Sequence, residues 1–189
     1  MEKFAHLLKQ YNIEMLVDTR SQPYSKYCPW FDQDVLKPAV SELGLQYQFL
    51  GREMGGRPTD RSMYDEEGHV LYSRVAESAP FQQTMDWLLK AMVESRIALM
   101  CGEEDPLDCH RRLLITRVLV KNGVDVQHIR GDGSQVSEIE LSRKHPLEEA
   151  RLQPALFPEC EKEEEWRSTR SVSRSAPPPA SLELSKKRA

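Results

Sequence analysis

A chain of 189 residues has room for one ordinary domain core plus a tail, so neither disulfides nor a structural metal are needed to hold it up. A formal net charge of −4 at pH 7 and a pI near 5.8 argue against the broad basic face by which proteins grip duplex nucleic acid through its phosphates, and confine any anion recognition to a local site. Cys28, Cys101, Cys109 and Cys160 lack the dense spacing of a secreted, stapled scaffold; there is no leader-like start and no run of about eighteen apolar residues, so a cytoplasmic chain with reduced thiols and no membrane partner is expected.

MEKFAHLLKQYN sets Phe4, Leu7, Leu8 and Tyr11 at helical spacing, and EMLVD after it is a compact apolar run suited to a buried strand. DQDVLKPAVSELG reads as a helix between Asp32 and Gly44, with Pro38 as a kink or a late start. LQYQFL, residues 45–50, alternates as a strand. GREMGGRPTDRSMYDEEGHV is a long, polar, glycine-rich loop of the kind that carries function. Helical periodicity returns from about Ser73 to Glu94 through Val75, Phe81, Met85, Leu88, Leu89 and Met92, with a break near Pro80. The strand RIALMC, the helix PLDCHRRLLITRVLVKN ended by Gly123 and the strand VDVQHI follow. Repeated strand–helix units predict an α/β three-layer sandwich, a mainly parallel sheet with helices on both faces, over residues 1–130. Residues 131–157 form an extension with a short helix or two. From Pro158 to Ala189 no apolar period is sustained, and mixed charge, serine and a proline triplet predict a disordered tail.

In open parallel sheets ligands bind beyond the carboxyl ends of the strands, where loops converge. Here those ends carry Asp18-Thr19-Arg20-Ser21, Gly51-Arg52, Cys101-Gly102-Glu103 and Arg130, with Gly55-Gly56-Arg57 adjoining. Arginine offers a planar fork to phosphate or carboxylate, and glycine lets backbone amides approach closely. Arg20, Ser21, Arg52, Gly55, Gly56, Arg57 and Arg111 are therefore the candidate ligand-binding residues. The plain alternative is a set of salt bridges to Asp18, Glu53 or Glu103. In QPYSKYCPWF, residues 22–31, the aromatics either stack a ring or cover the core under a loop.

CGEEDPLDCHRR, residues 101–112, is the densest chemical stretch. Asp105 suits an N-cap, Pro106 the first helical position and Asp108 the third, which would place Cys109 and His110 in a first turn whose dipole favours a thiolate. Cys101 and Cys109 are the candidate nucleophiles, Glu103 and His110 the candidate proton carriers. The stripe Cys109, Leu113, Thr116, Val120 is expected to pack on the sheet, turning His110 and Arg111 away from it. Free cysteines are more often buried packing than chemistry, and a Cys101–Cys109 redox pair is a further alternative. Seven residues separate the two cysteines without a second close pair, so no metal or other cofactor is expected. Glu103, Glu104 and Asp105 would repel the anion of a phosphatase-type loop.

VDTRSQPYS, LGLQYQFLGREMGGRP and ALMCGEEDPLDCHRRLLITRVLVKNGVDVQHI together resemble the domain of unknown function 488 family, in order and spacing, from about residue 4 to 130. The resemblance implies an α/β domain whose polar motifs gather at one site, and supplies no reaction. Members begin with a strand and a Gly-His-Ser element, whereas this chain opens inside the first helix. Either the start is truncated or that strand is dispensable here; its loss is expected to leave a sheet edge or a gap open to pairing with another chain and, if that histidine serves the chemistry, a protein that is impaired or needs another group in its place. Two functions stand: an enzyme acting on a phosphate-bearing substrate, nucleotide or nucleic-acid end, and a non-catalytic module binding a phosphate or acidic small ligand.

Overall fold

The computed structural model describes residues 1–147 and 166–171. Three strands, β1 (Met15–Asp18), β2 (Gln46–Phe49) and β3 (Ile97–Met100), form a wholly parallel sheet in the order β2-β1-β3. Central β1 is apolar at three successive positions and buried throughout, as a strand covered on both faces must be. Alternation divides those residues between two cores. Leu16 joins Leu8 of α1 (Glu2–Gln10), Leu36 and Val40 of α2 (Gln33–Glu42), Leu45 and Met100. Met15 and Val17 face the other way, against Val75 of α3 (Tyr72–Glu77), Phe81, Met85 and Leu88 of α4 (Ala79–Glu94), and Val118 and Leu119 of α5 (Arg117–Lys121). The layers are helix, sheet, helix, and burial of each large apolar side chain contributes ~1.5–3 kcal/mol.

Local signals end the elements. Gly44 and Gly123, at φ +81° and +78°, follow α2 and α5 in the left-handed conformation that costs glycine nothing. Pro38 lies inside α2, and the fully buried Leu36 and Val40 on either side hold that helix together. α3 and α4 part at Ser78, just before Pro80.

One expectation is corrected beyond β3. The strand at 124–129 does not extend the parallel sheet: among the described residues β4 (Gln127–Ile129) pairs only with β5 (Gln135–Ser137), antiparallel, in a separate hairpin followed by α6 (Glu138–Lys144). The far edge of β3 and this hairpin are opposite walls of a cavity of about 660 Å³, lined among others by Ile97, Leu99, Val126 and His128. The hairpin is instead fixed by a buried ion network. Arg112 Nε donates to Glu138 Oε2 at 3.0 Å, His128 Nε2 donates to the same oxygen at 2.7 Å, and Ser142 bonds Glu138 Oε1.

A short stretch within the expected tail is described. Trp166, Arg167 and Ser168 are docked: the indole Nε1 donates to the Leu113 carbonyl at 2.7 Å, Arg117 lies 4.3 Å over the ring, and Arg167 bridges Leu71. One aromatic side chain with a ready acceptor anchors a segment that has no periodicity. The remaining residues of the expected tail, 158–165 and 172–189, and residues 148–157 of the extension lie outside those described. Among the described residues no helix is long and apolar enough to cross a membrane.

Candidate functional site

Three parallel strands deliver their following loops to one rim, and a crevice of about 310 Å³ opens there. β1 supplies Arg20, Ser21, Gln22 and Tyr24 to its wall; the loop after β2 supplies Gly56 and Arg57; the segment after β3 supplies Gly102, Glu103, Asp108 and His110. Ser168, Thr169, Arg170 and Ser171 close one side, a contribution that the sequence signals only through the docking tryptophan before them. Tyr24 is the member of the 22–31 aromatic segment that reaches the crevice.

The guanidinium groups divide into structural and available. Arg20 donates through Nε and Nη2 to the two oxygens of fully buried Asp18, at 2.9 and 2.6 Å, and through Nη2 to the Phe31 carbonyl. Tyr47 donates to Asp18 at 2.7 Å as well. Arg20 lines the crevice as the counter-ion of a strand-end aspartate, the salt bridge that stood as the alternative to anion recognition. Arg57 is exposed and forms no ion pair among the described residues. Ser21 holds it in place, accepting the Arg57 backbone N–H at 2.8 Å. The Gly-Gly turn is a matter of room: a Cβ on Gly55 would sit 2.2 Å from Ser21 Oγ, and one on Gly56 2.9 Å from His110 Nδ1. Arg52 is exposed away from the crevice and Arg111 lines the larger cavity, so neither lines the site beside Arg57.

Helix geometry at 106–121 departs from the single helix expected. Asp105 does cap, accepting from Leu107 N–H at 3.0 Å, but the turn Pro106–Asp108 is 3₁₀ and Cys109 is extended at φ −101°, ψ 133°. A π-helical turn, Arg111–Thr116, follows before α5. Its wider winding shifts the phase, so Leu114, Ile115, Val118 and Leu119 are buried and Val120 is 45% exposed. His110 turns inward and is buried, contrary to the expected orientation, and Cys109 is not in the first turn of a helix whose dipole could activate it. Asp108 is no cap; it pairs with Arg170 at 3.1 Å.

The result is a compact cluster. Cys101 Sγ, a Glu103 carboxylate oxygen, Cys109 Sγ and a ring nitrogen of His110 all lie within 4.8 Å of one another. Cys109 is fully buried, Cys101 half-buried and Glu103 exposed toward the crevice. Hydrogen bonding between the sulfurs, with Arg111 nearby, holds the Cys101 thiol below its ordinary value, while the same bond and burial push Cys109 up. Burial pushes the His110 imidazole down, and His110 Nε2 donates to the Thr19 carbonyl at 3.1 Å. The acidic run is largely neutralised: Arg130 reaches Glu104 at 2.9 Å and Asp105 at 3.3 Å, leaving Glu103 without an ion pair among the described residues.

Such a chain is an α/β domain with a polar crevice at the carboxyl edge of a parallel sheet. The family model for the domain of unknown function DUF488 matches residues 1–118, and the chain belongs to that family. The match takes in the whole crevice apart from the Ser168–Ser171 wall. Neither a curated protein nor a solved structure matches the chain.

Proposed function

We propose that this protein is an enzyme acting on a phosphate-bearing substrate, a nucleotide or a nucleic-acid end, bound in the crevice with Arg57 on the anion and the Cys101, Glu103, Cys109, His110 cluster as its reactive centre. The observation that carries the reading is that Arg57, free of any ion pair among the described residues, shares one crevice with Glu103 and His110. The Gly56 backbone beside it gives an anion close access, and Tyr24 offers a ring face at the mouth. A volume of about 310 Å³ is at the low end of ligand sites and suits a mononucleotide or a chain end better than a duplex. Cys28, Cys101 and Cys109 are free thiols, which suits the reducing cytoplasm.

Titration of the full chain with inorganic phosphate, followed by calorimetry, tests the binding step. Arg57→Ala is expected to weaken phosphate by about tenfold to a hundredfold, the loss of one charge-assisted contact. Unchanged affinity in that variant removes the reading. Turnover of a panel of nucleoside phosphates and phosphorylated oligonucleotide ends tests the chemistry. Arg57-dependent binding with no turnover would make the chain a non-catalytic phosphate module instead.

A further inference from the structure

Four side chains with metal-binding donors meet behind the crevice, from two stretches eight residues apart in number, because the extended Cys109 and the inward His110 fold back onto the end of β3. Tetrahedral zinc, with Zn–S bonds of ~2.3 Å and Zn–N bonds of ~2.0 Å, spaces its donors about 3.3 to 3.8 Å apart. The Cys109 Sγ to Glu103 Oε2 distance is already 3.7 Å, and the whole set lies within 4.8 Å, so contraction by at most about 1.5 Å completes a coordination shell. Three further features fit a metal. His110 donates its Nε2 proton to the Thr19 carbonyl, which fixes the tautomer and leaves Nδ1 with the lone pair; a backbone carbonyl on the second nitrogen is the usual support of a ligating histidine. Thr19 is itself locked, with its N–H and Oγ1 both donating to the Met100 carbonyl at 2.9 and 2.8 Å. Finally, Glu103 is a carboxylate without a cation among the described residues in a crevice read as an anion site, a repulsion that a bound dication would cancel.

We propose that Cys101, Cys109 and His110 bind a zinc ion, with Glu103 at the fourth position on the crevice side. Two thiolates and an imidazole select a soft, tetrahedral ion over magnesium or calcium. The other acidic cluster, Asp65, Glu67 and His69, already holds a cation: Arg167 reaches both carboxylates, at 2.7 and 3.1 Å. Glu103 is the exposed member of the zinc set, so a water or a phosphate oxygen entering the crevice can replace it on the metal. The use of zinc in catalysis rests on the crevice reading above; the presence of zinc does not.

Elemental analysis of the full chain, purified reduced and without chelators, is expected to find one zinc per chain. Cobalt(II) added to the chelator-stripped, reduced chain is expected to give a thiolate-to-cobalt charge-transfer band. Cys101→Ser is expected to cut that band to about half, the share of the remaining Cys109 thiolate, and Glu103→Gln keeps it with weaker cobalt affinity. A chain that purifies without zinc and gives no charge-transfer band with cobalt overturns the proposal, and needs no variant that must fold. Inorganic phosphate titrated into the metal-free chain separates the two readings. Phosphate binding that still depends on Arg57 leaves the crevice standing without its metal; zinc retained with no phosphate binding removes only the anion site.

Discussion

At the scale of single residues, the site depends on how closely backbone segments approach. A Cβ on Gly51 would stand 2.0 Å from the Arg20 carbonyl oxygen and 2.7 Å from its carbon, and backbone atoms cannot swing aside as a side-chain end can. Gly51→Ala therefore forces the loops after β1 and β2 apart, at a cost of about 1–3 kcal/mol or more. Gly102, which lines the crevice with nothing within 4 Å of its Cβ position, is the control: Gly102→Ala is expected to leave stability within ~0.5 kcal/mol. Urea unfolding followed by circular dichroism reads both, and equal midpoints for the two variants would contradict the close approach. The gathering of Gly51, Gly56, Arg57 and Glu103 at one rim was legible because a parallel sheet sends all its strand ends to the same edge. Whether Arg20 meets a ligand or Asp18 was not. Asp18 two residues before it could equally have faced a ligand, and only the burial of its carboxylate makes the arginine a counter-ion.

Among the elements, hydrophobic periodicity located β1, β2, β3 and the helices between them, since each must bury an apolar face on one sheet. It failed at Arg111–Thr116, where one π-helical turn shifts the buried face and carries His110 inward; a period of 3.6 residues cannot register a turn of another pitch. It located the strand at β4 but not its pairing, because the polar network of Arg112, His128 and Glu138 anchors the hairpin and carries no period. Glu138 is 3% exposed, so removing its charge strands the Arg112 guanidinium. Glu138→Gln is expected to cost about 3–5 kcal/mol. Burial alone would raise the Glu138 carboxyl, but hydrogen bonds from His128, Arg112 and Ser142 outweigh it and hold the group below its ordinary value. The carboxyl is thus lower in the folded state than in the unfolded chain. Its contribution is fully present above the unfolded value of ~4.3 and drains away as pH falls toward the folded one. Stability measured from pH 7 down to pH 3 should show that slope in the natural chain and a shallower one in Glu138→Gln; parallel curves would rule the network out as its source.

For the molecule as a whole, the docked segment 166–171 joins the core to the crevice. Trp166 stacks edge-on to Tyr72, lies under Arg117 and donates to the Leu113 carbonyl in the π-helical turn that follows His110. Arg167 is held by Asp65 and Glu67, the Ser168 N–H donates to the Val70 carbonyl, and Arg170 reaches Asp108 across the crevice mouth. One aromatic anchor therefore positions a wall made of small polar side chains, which have no apolar surface to hold themselves. Full burial of a tryptophan is worth ~3–5 kcal/mol on truncation to alanine, and this half-buried one about 2–3 kcal/mol. Trp166→Ala should lower stability by that amount and, more tellingly, release the wall: trypsin should cut at Arg167 and Arg170 several times faster than in the natural chain under native conditions. Arg170→Ala separates the two roles, because it removes only the exposed Asp108 pair and should leave stability within ~0.5 kcal/mol. If phosphate binds more weakly to Trp166→Ala but not to Arg170→Ala, the wall acts by shape; if both weaken alike, the Arg170 charge is what the crevice gains from it.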